Sequence, residues 1–264
     1  MEKRLSIAGV TLGFFAAFWP LGYWYTRRLT DGGDEPLGLL VLGVLTILIF
    51  IERKNLTNTT SKLTLAAAGA CFTLYILSTF WLPPMLRCVP AILCITFYFG
   101  WYKRPGWLAL MFLSLPLVAS LQFYLGYPLR LVSTETTRWL VYPFVNDIIR
   151  EGTTLTAHGK IVGVDPPCSG IKILWLGLVF TNIVTSLVSM KWRKAITFNL
   201  LAIGLLLSAN SVRAALLFAP ESGAIDIPDA LHEGIGIICY LGVVLFLVKI
   251  ASLNSHTIRT HTIS

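Results

Sequence analysis

The chain has 264 residues; 55% are hydrophobic, only 13% are charged, and the net charge is +8, with a mean hydropathy of +0.73. Soluble domains carry about 25% charged residues, so this chain cannot cover a water-facing globule, which excludes an ordinary cytosolic enzyme and a disordered chain. Lipid is its main solvent. The basic residues occur singly or in pairs, which suits the inner flanks of membrane helices and not nucleic-acid binding.

A membrane helix needs about 20 apolar residues to cross roughly 30 Å of hydrocarbon. Eight runs qualify in chain order: residues 5–25, 37–51, 63–82, 89–101, 106–124, 170–190, 195–218 and 231–250. The second and fourth are short and extend into their flanks. The first follows Met1-Glu2-Lys3-Arg4, as the apolar region of a signal peptide would. It lacks a small-x-small cleavage site and more spans follow, so it reads as a retained helix. The expected fold is all-α: one integral membrane domain over residues 1–264 with about eight spans. With the N-terminus inside, twelve of the 21 Lys and Arg fall on inner segments, against Arg27, Arg28 and Arg87 in the short outer loops. That bias predicts an N-in, C-in orientation.

The fifth connection, residues 125–169, is too long for a mere linker. Residues 130–149 mix Leu131, Val132, Trp139, Leu140, Val141 and Phe144 with Arg130, Glu135, Arg138 and Asp147. That pattern predicts a helix lying in the outer interface, bent at Pro143. Two β-prone runs, 153–157 and 160–164, flank His158-Gly159 and predict a small hairpin before the sixth span. It leads into Asp165-Pro166-Pro167-Cys168-Ser169-Gly170.

The five cysteines form no CxxC pair and no zinc spacing with the four histidines, so neither a metal nor a cofactor is expected. Cys71, Cys94 and Cys239 lie in apolar runs as small hydrophobes. Cys168 stands apart, just before the sixth span. Arg213 lies near the outer end of the seventh, and His232 in the first turn of the eighth. Each has a plain structural explanation: an incidental small residue, an Arg snorkelling to headgroups, a His capping its helix. Together they bring a thiol, a guanidinium and an imidazole to one membrane level.

That set has a coherent chemistry. A thiolate is the nucleophile, and a helix N-terminus and a nearby cation both favour it. His232 can take the thiol proton and return it to a leaving amine. Arg213 stays protonated, so it can hold a carboxylate or an oxyanion. Gly170 permits close approach of a substrate backbone. Asn210, three residues before Arg213, shares its helical face and can orient either partner. Two rivals exist. Ser169-Gly170-Ile171-Lys172 has the S-x-x-K spacing of a Ser-Lys hydrolase. A transporter or polysaccharide-export component would use Arg213 with Glu221, Asp226 and Asp229. No helix centre carries an acidic residue, however, and no broken helices with inverted symmetry are evident.

Three blocks, Pro167-Cys168-Ser169-Gly170-Ile171, Asn210-Ser211-Val212-Arg213 and His232-Glu233-Gly234-Ile235-Gly236, resemble the signatures of the exosortase/archaeosortase membrane proteases. Leu121-Gln122-Phe123 and Gly126-Tyr127-Pro128-Leu129-Arg130 resemble the region ahead of the nucleophile block. The resemblance spans roughly residues 60–250, with the signature blocks within 121–236. It implies a polytopic cysteine protease-transpeptidase of a prokaryotic inner membrane with its site facing outward. Cys168 would be the nucleophile and Arg213 and His232 the other catalytic residues, with Asn210, Ser169 and Gly170 in support. The implied substrates are secreted proteins with a C-terminal signal: a short Pro-containing motif, a membrane helix and a basic tail. Pro166-Pro167 departs from the small or apolar residues expected before the nucleophile.

Overall fold

Prolines and glycines cut the apolar sequence into helices. The computed structural model describes residues 9, 12–30, 36–52, 61–145, 147–157, 159–163, 169–222 and 228–260. They form two compact units, Met1–Leu117 with Ser189–Trp192, and Val118–Val188 with Arg193–Ser264.

The first unit holds α1 (Trp19–Thr30), α2 (Leu37–Glu52), α3 (Lys62–Ser78), α4 (Pro84–Tyr98) and α5 (Pro105–Leu113). Ser61 caps α3 by accepting from the Thr64 amide, and Pro84 and Pro105 open their helices where no N–H is needed. Helix α3 runs along α4, and α2 packs on α5. Gly38 permits that contact: a Cβ there would collide with the Ser114 carbonyl, which accepts a hydrogen bond from the Tyr25 hydroxyl at 2.8 Å. Phe18 meets Tyr75 edge-on at 4.9 Å. Arg104 pairs with Glu52 and lies 4.4 Å over the Trp107 ring.

The second unit holds α6 (Val118–Val141), strands β1 (Ile149–Glu151), β2 (Thr154–Ala157) and β3 (Lys160–Gly163), and helices α7 (Ile171–Leu187), α8 (Trp192–Glu221) and α9 (Asp229–Thr260). Helix α7 packs on both α6 and α9. Strands β2 and β3 pair antiparallel, Thr154 opposite Gly163 and Ala157 opposite Lys160. Gly159 takes the left-handed conformation between them (φ 76°). Strand β1 adds on the far side of β2, so the expected hairpin is part of a three-stranded sheet. Alternation turns Leu155, Ala157 and Val162 inward onto Val141, Ile148 and Phe218. The sheet therefore sits on the C-terminal ends of α6 and α8.

Two expected boundaries are corrected. The run 106–124 is not one helix: α5 ends at Leu113 and α6 begins at Val118. Pro116 lacks the amide a helix needs and disfavours helix at the residue before it. The helix expected over 130–149 is instead the second half of α6, which runs unbroken to Val141 and stops short of Pro143. Ile149 opens a strand rather than closing a helix. The expected first span, 5–25, falls partly outside the described residues.

Among the described residues two segments are long and apolar enough to cross a bilayer, Trp192–Phe218 (27 residues) and Gly234–Leu253 (20 residues). They span about 40 Å and 30 Å at 1.5 Å per residue. A third crossing exists if α5 and α6 count as one broken span, and α2, α3, α4 and α7 are shorter apolar helices.

Candidate functional site

The approach to α7 is a tight turn. Gly170 is left-handed (φ 78°), a conformation that side chains with a Cβ resist. Ser169 is 2% exposed, and its hydroxyl donates to Gln122 Oε1 on α6 at 2.9 Å. Gln122 folds along its own helix over Gly126, where a Cβ would lie 2.8 Å from Gln122 Nε2. Cys168, the residue before Ser169, lies outside the described residues.

Asn210 covers the other side of this turn. A Cβ on Gly170 would lie 2.8 Å from the Asn210 carboxamide carbon, so glycine is required twice, for its φ and for this contact. The Asn210 amide donates to Ser133 Oγ on α6 at 3.2 Å. One turn of α6 later, the Thr136 hydroxyl donates to Ser211 Oγ at 2.7 Å. Helix α6 thus grips both the residue after Cys168 and the two residues that open the Arg213 block.

Arg213 lies on the packed side of α8. By helical phase it shares a face with Ala195, Ala202, Leu206 and Leu217, all buried. Its side chain crosses α9 at Gly236: a Cβ there would lie 2.9 Å from Arg213 Nε. His232 belongs to the first turn of α9, one helical turn before Gly236, and its side chain is outside the described set. The structure therefore joins Ser169 and Gly170 with Asn210, and Arg213 with the helix that carries His232.

A second polar cluster ties the sheet to α6. Residues 130–141 carry two Arg, one Glu and several hydroxyls, too polar for a segment immersed in hydrocarbon. Glu135 accepts from Arg138 at 2.8 Å and from the Trp139 indole at 2.8 Å. Its other oxygen accepts from Arg150 of β1 at 2.9 Å. The hydrogen bonds from Arg138 and Arg150 hold the Glu135 carboxyl far below the usual carboxylate range, at about 2. Glu135 thus stays ionised at physiological pH, and the clasp persists there.

Lys172, the partner in the Ser-Lys alternative, is exposed on α7, whereas the Ser169 hydroxyl is turned to Gln122. Cys71, Cys88, Cys94 and Cys239 are free thiols. Among the described residues no group of three His, Cys, Asp or Glu is arranged to hold a metal ion. Sequence reasoning assigned no role to Gln122, Ser133, Thr136 and Ser211. Gln122 and Ser211 stand inside blocks that carry the resemblance, and Gln122 is also an amide inside a run otherwise fit to be a span.

No curated protein and no solved structure matches the chain. The family model for transmembrane exosortases (Exosortase_EpsH) matches residues 7–249. This match takes in both units and all three signature blocks, as well as the α6 residues that bind two of them. The chain is an integral membrane protein of the transmembrane exosortase family.

Proposed function

We propose that the protein is a membrane cysteine protease-transpeptidase that removes C-terminal sorting signals from secreted proteins. Cys168 is the nucleophile and His232 the base that takes its proton. The thiolate adds to the scissile carbonyl, and Arg213 stabilises the oxyanion. Collapse of the tetrahedral intermediate breaks the C–N bond, and His232 gives its proton to the leaving amine. The product is a thioester acyl-enzyme. An acceptor (water, an amine or a lipid) then displaces the thiol and carries the acyl group away. No step calls for a metal or a cofactor.

The observation that carries this reading is the seating of Arg213 on Gly236, one turn from His232. A guanidinium that merely reached for headgroups would not need a glycine on the neighbouring helix. Gly170 and Asn210 add a turn shaped by contact with the same helix, α8, that bears Arg213.

In this reading the chain is one domain of about eight spans in a prokaryotic inner membrane, with both termini inside. The shorter helices α2, α3, α4 and α7 cross with help from their flanks. The second half of α6 and the sheet lie at the outer interface, and the site faces outward. The substrate helix enters from lipid with its basic tail inside. Strand β3 runs toward Cys168 along the chain and is an edge of the sheet, so an extended motif can pair with it.

The test is Cys168→Ala in cells. Proteins that keep an intact C-terminal helix should accumulate, processing falling by at least about 10⁴-fold, while the variant remains in the membrane. Undiminished processing would remove Cys168 as the nucleophile. A transporter or export component would leave no such unprocessed proteins when Cys168 is replaced.

A further inference from the structure

The signature blocks account for a nucleophile, a cation and a base, and leave unexplained an amide in the first turns of α6. Gln122 precedes Cys168 by more than forty residues, yet its side chain ends on the residue that follows it. Three observations single it out. The Ser169 hydroxyl donates to Gln122 Oε1 at 2.9 Å, and Ser169 is 2% exposed, so water is a poor substitute for this bond. The Ser169 oxygen also lies 3.5 Å from the Ile171 amide, in the first turn of α7. It thus links Gln122 to the N-terminus of the helix that Cys168 precedes. Gly126 leaves the Gln122 chain room to lie along α6, since a Cβ at 126 would come within 2.8 Å of its amide nitrogen.

The geometry points to Gln122 as a positioning residue for Cys168, acting through Ser169; this inference rests on the cysteine-protease reading above. Gln122 does not touch the reacting atoms. It holds the turn 169–170 from the α6 side while Asn210 holds it from the α8 side. The two contacts hold the turn from both sides at the N-terminus of α7, an end whose dipole favours a thiolate. Without the Gln122 bond the turn is held from one side only. Cys168 is joined to this turn by a single peptide bond, so loss of the Gln122 bond should lower the reactivity of its thiol.

The test uses the full chain in membranes with Cys71, Cys88, Cys94 and Cys239 replaced by Ala, so that Cys168 is the thiol that reacts. Gln122→Met keeps the length of the side chain and removes the acceptor; Ser169→Ala removes the donor. The readouts are the pH profile of iodoacetamide alkylation at Cys168, and the rate on the substrate that accumulates in Cys168→Ala cells. In Gln122→Met the alkylation midpoint should move up by about half a pH unit or more, and kcat should fall about tenfold with KM within about twofold. Ser169→Ala should do the same, and the double variant should be no worse than either single one.

An unmoved profile with normal kcat overturns the inference, and so does additivity of the two substitutions. If Gln122→Met does not accumulate as folded protein, Ser169→Ala removes the same bond from its other end and decides. Processing by Cys168→Ala overturns the protease reading and this inference together. An inactive Cys168→Ala beside a normal Gln122→Met overturns this inference alone.

Discussion

In the first unit, helices α1 to α5 contain no Asn or Gln; the Tyr25 and Tyr75 hydroxyls reach backbone carbonyls of other segments, those of Ser114 and Ala17, while the small hydroxyls bond carbonyls one turn back. Ser78 bonds the Tyr75 carbonyl, Thr96 that of Ile92, and Ser114 that of Met111. In the second unit Thr134, Thr181, Thr185 and Ser186 do the same, but other polar side chains reach across. Gln122 meets Ser169, Asn210 meets Ser133, and Thr136 meets Ser211. Asn182 of α7 and Asn199 of α8 exchange amide hydrogen bonds at 2.8 and 3.3 Å. The difference has a physical meaning. Lipid tails are as apolar as Leu, so apolar contact between membrane helices is nearly indifferent to register, whereas a hydrogen bond is not. The unit that carries the signature blocks is the one whose helices are registered by amide and hydroxyl side chains bonded to one another, whereas the first unit uses Tyr-to-backbone bonds and the Arg104–Glu52 pair.

This contrast can be broken or sharpened by substitution. The largest effect is expected for Arg213→Ala, which should lower processing about 10²–10³-fold, the usual loss when an oxyanion donor is removed. Mass spectrometry of unprocessed C-termini in membranes measures it, and near-normal processing would return Arg213 to a structural role. Gly170→Ala comes next. Forcing a Cβ into φ 78° costs about 1–2 kcal/mol and pushes on Asn210, so the initial rate of processing should drop about tenfold. A wild-type rate would show that the turn tolerates another shape.

Gly177→Ala tests registry without touching the chemistry. A Cβ there runs into the Leu206 side chain, within 3.0 Å of its Cγ. The expected loss is about 1–3 kcal/mol, read as a lowered melting temperature in detergent. The smallest effect, of opposite sign, is expected in the first unit. Gly69 of α3 has nothing within 4 Å of its would-be Cβ. Gly69→Ala should leave processing unchanged and stabilise the helix by about 0.5–1 kcal/mol. A loss of stability there equal to that at Gly177 would erase the distinction between the units.

Much of the helix plan was legible. The runs 37–51, 170–190 and 231–250 correspond to α2 (Leu37–Glu52), α7 (Ile171–Leu187) and the apolar part of α9. Apolar run length is a strong signal when the solvent is lipid. The signal failed where a proline ended a helix inside an apolar run, at Pro116, and where polar residues continued one, across 125–141. Hydropathy reports solvent and not backbone continuity. The β-prone runs 153–157 and 160–164 became β2 and β3, but β1 was absorbed into an expected helix. Its strand character comes from pairing with β2 and from Arg150 reaching Glu135, contacts made across the turn at Gly152.

The sequence by itself determined that lipid surrounds this protein, that a few polar residues stand out against it, and in what order the signature blocks occur. It also marked Arg213 as a charge in an apolar helix. Only the tertiary structure decided which way Arg213 and Asn210 face. In a water-soluble helix the polar stripe reveals the outer face. In α8 both the lipid side and the protein side are apolar, so periodicity is silent on whether Arg213 points to lipid or to a neighbour. The packing of α8 against α9 at Gly236, and of Asn210 against Gly170, supplied that answer. Tertiary contact also gave Gln122 its partner, because local sequence does not say which residue 47 positions away an amide will bond.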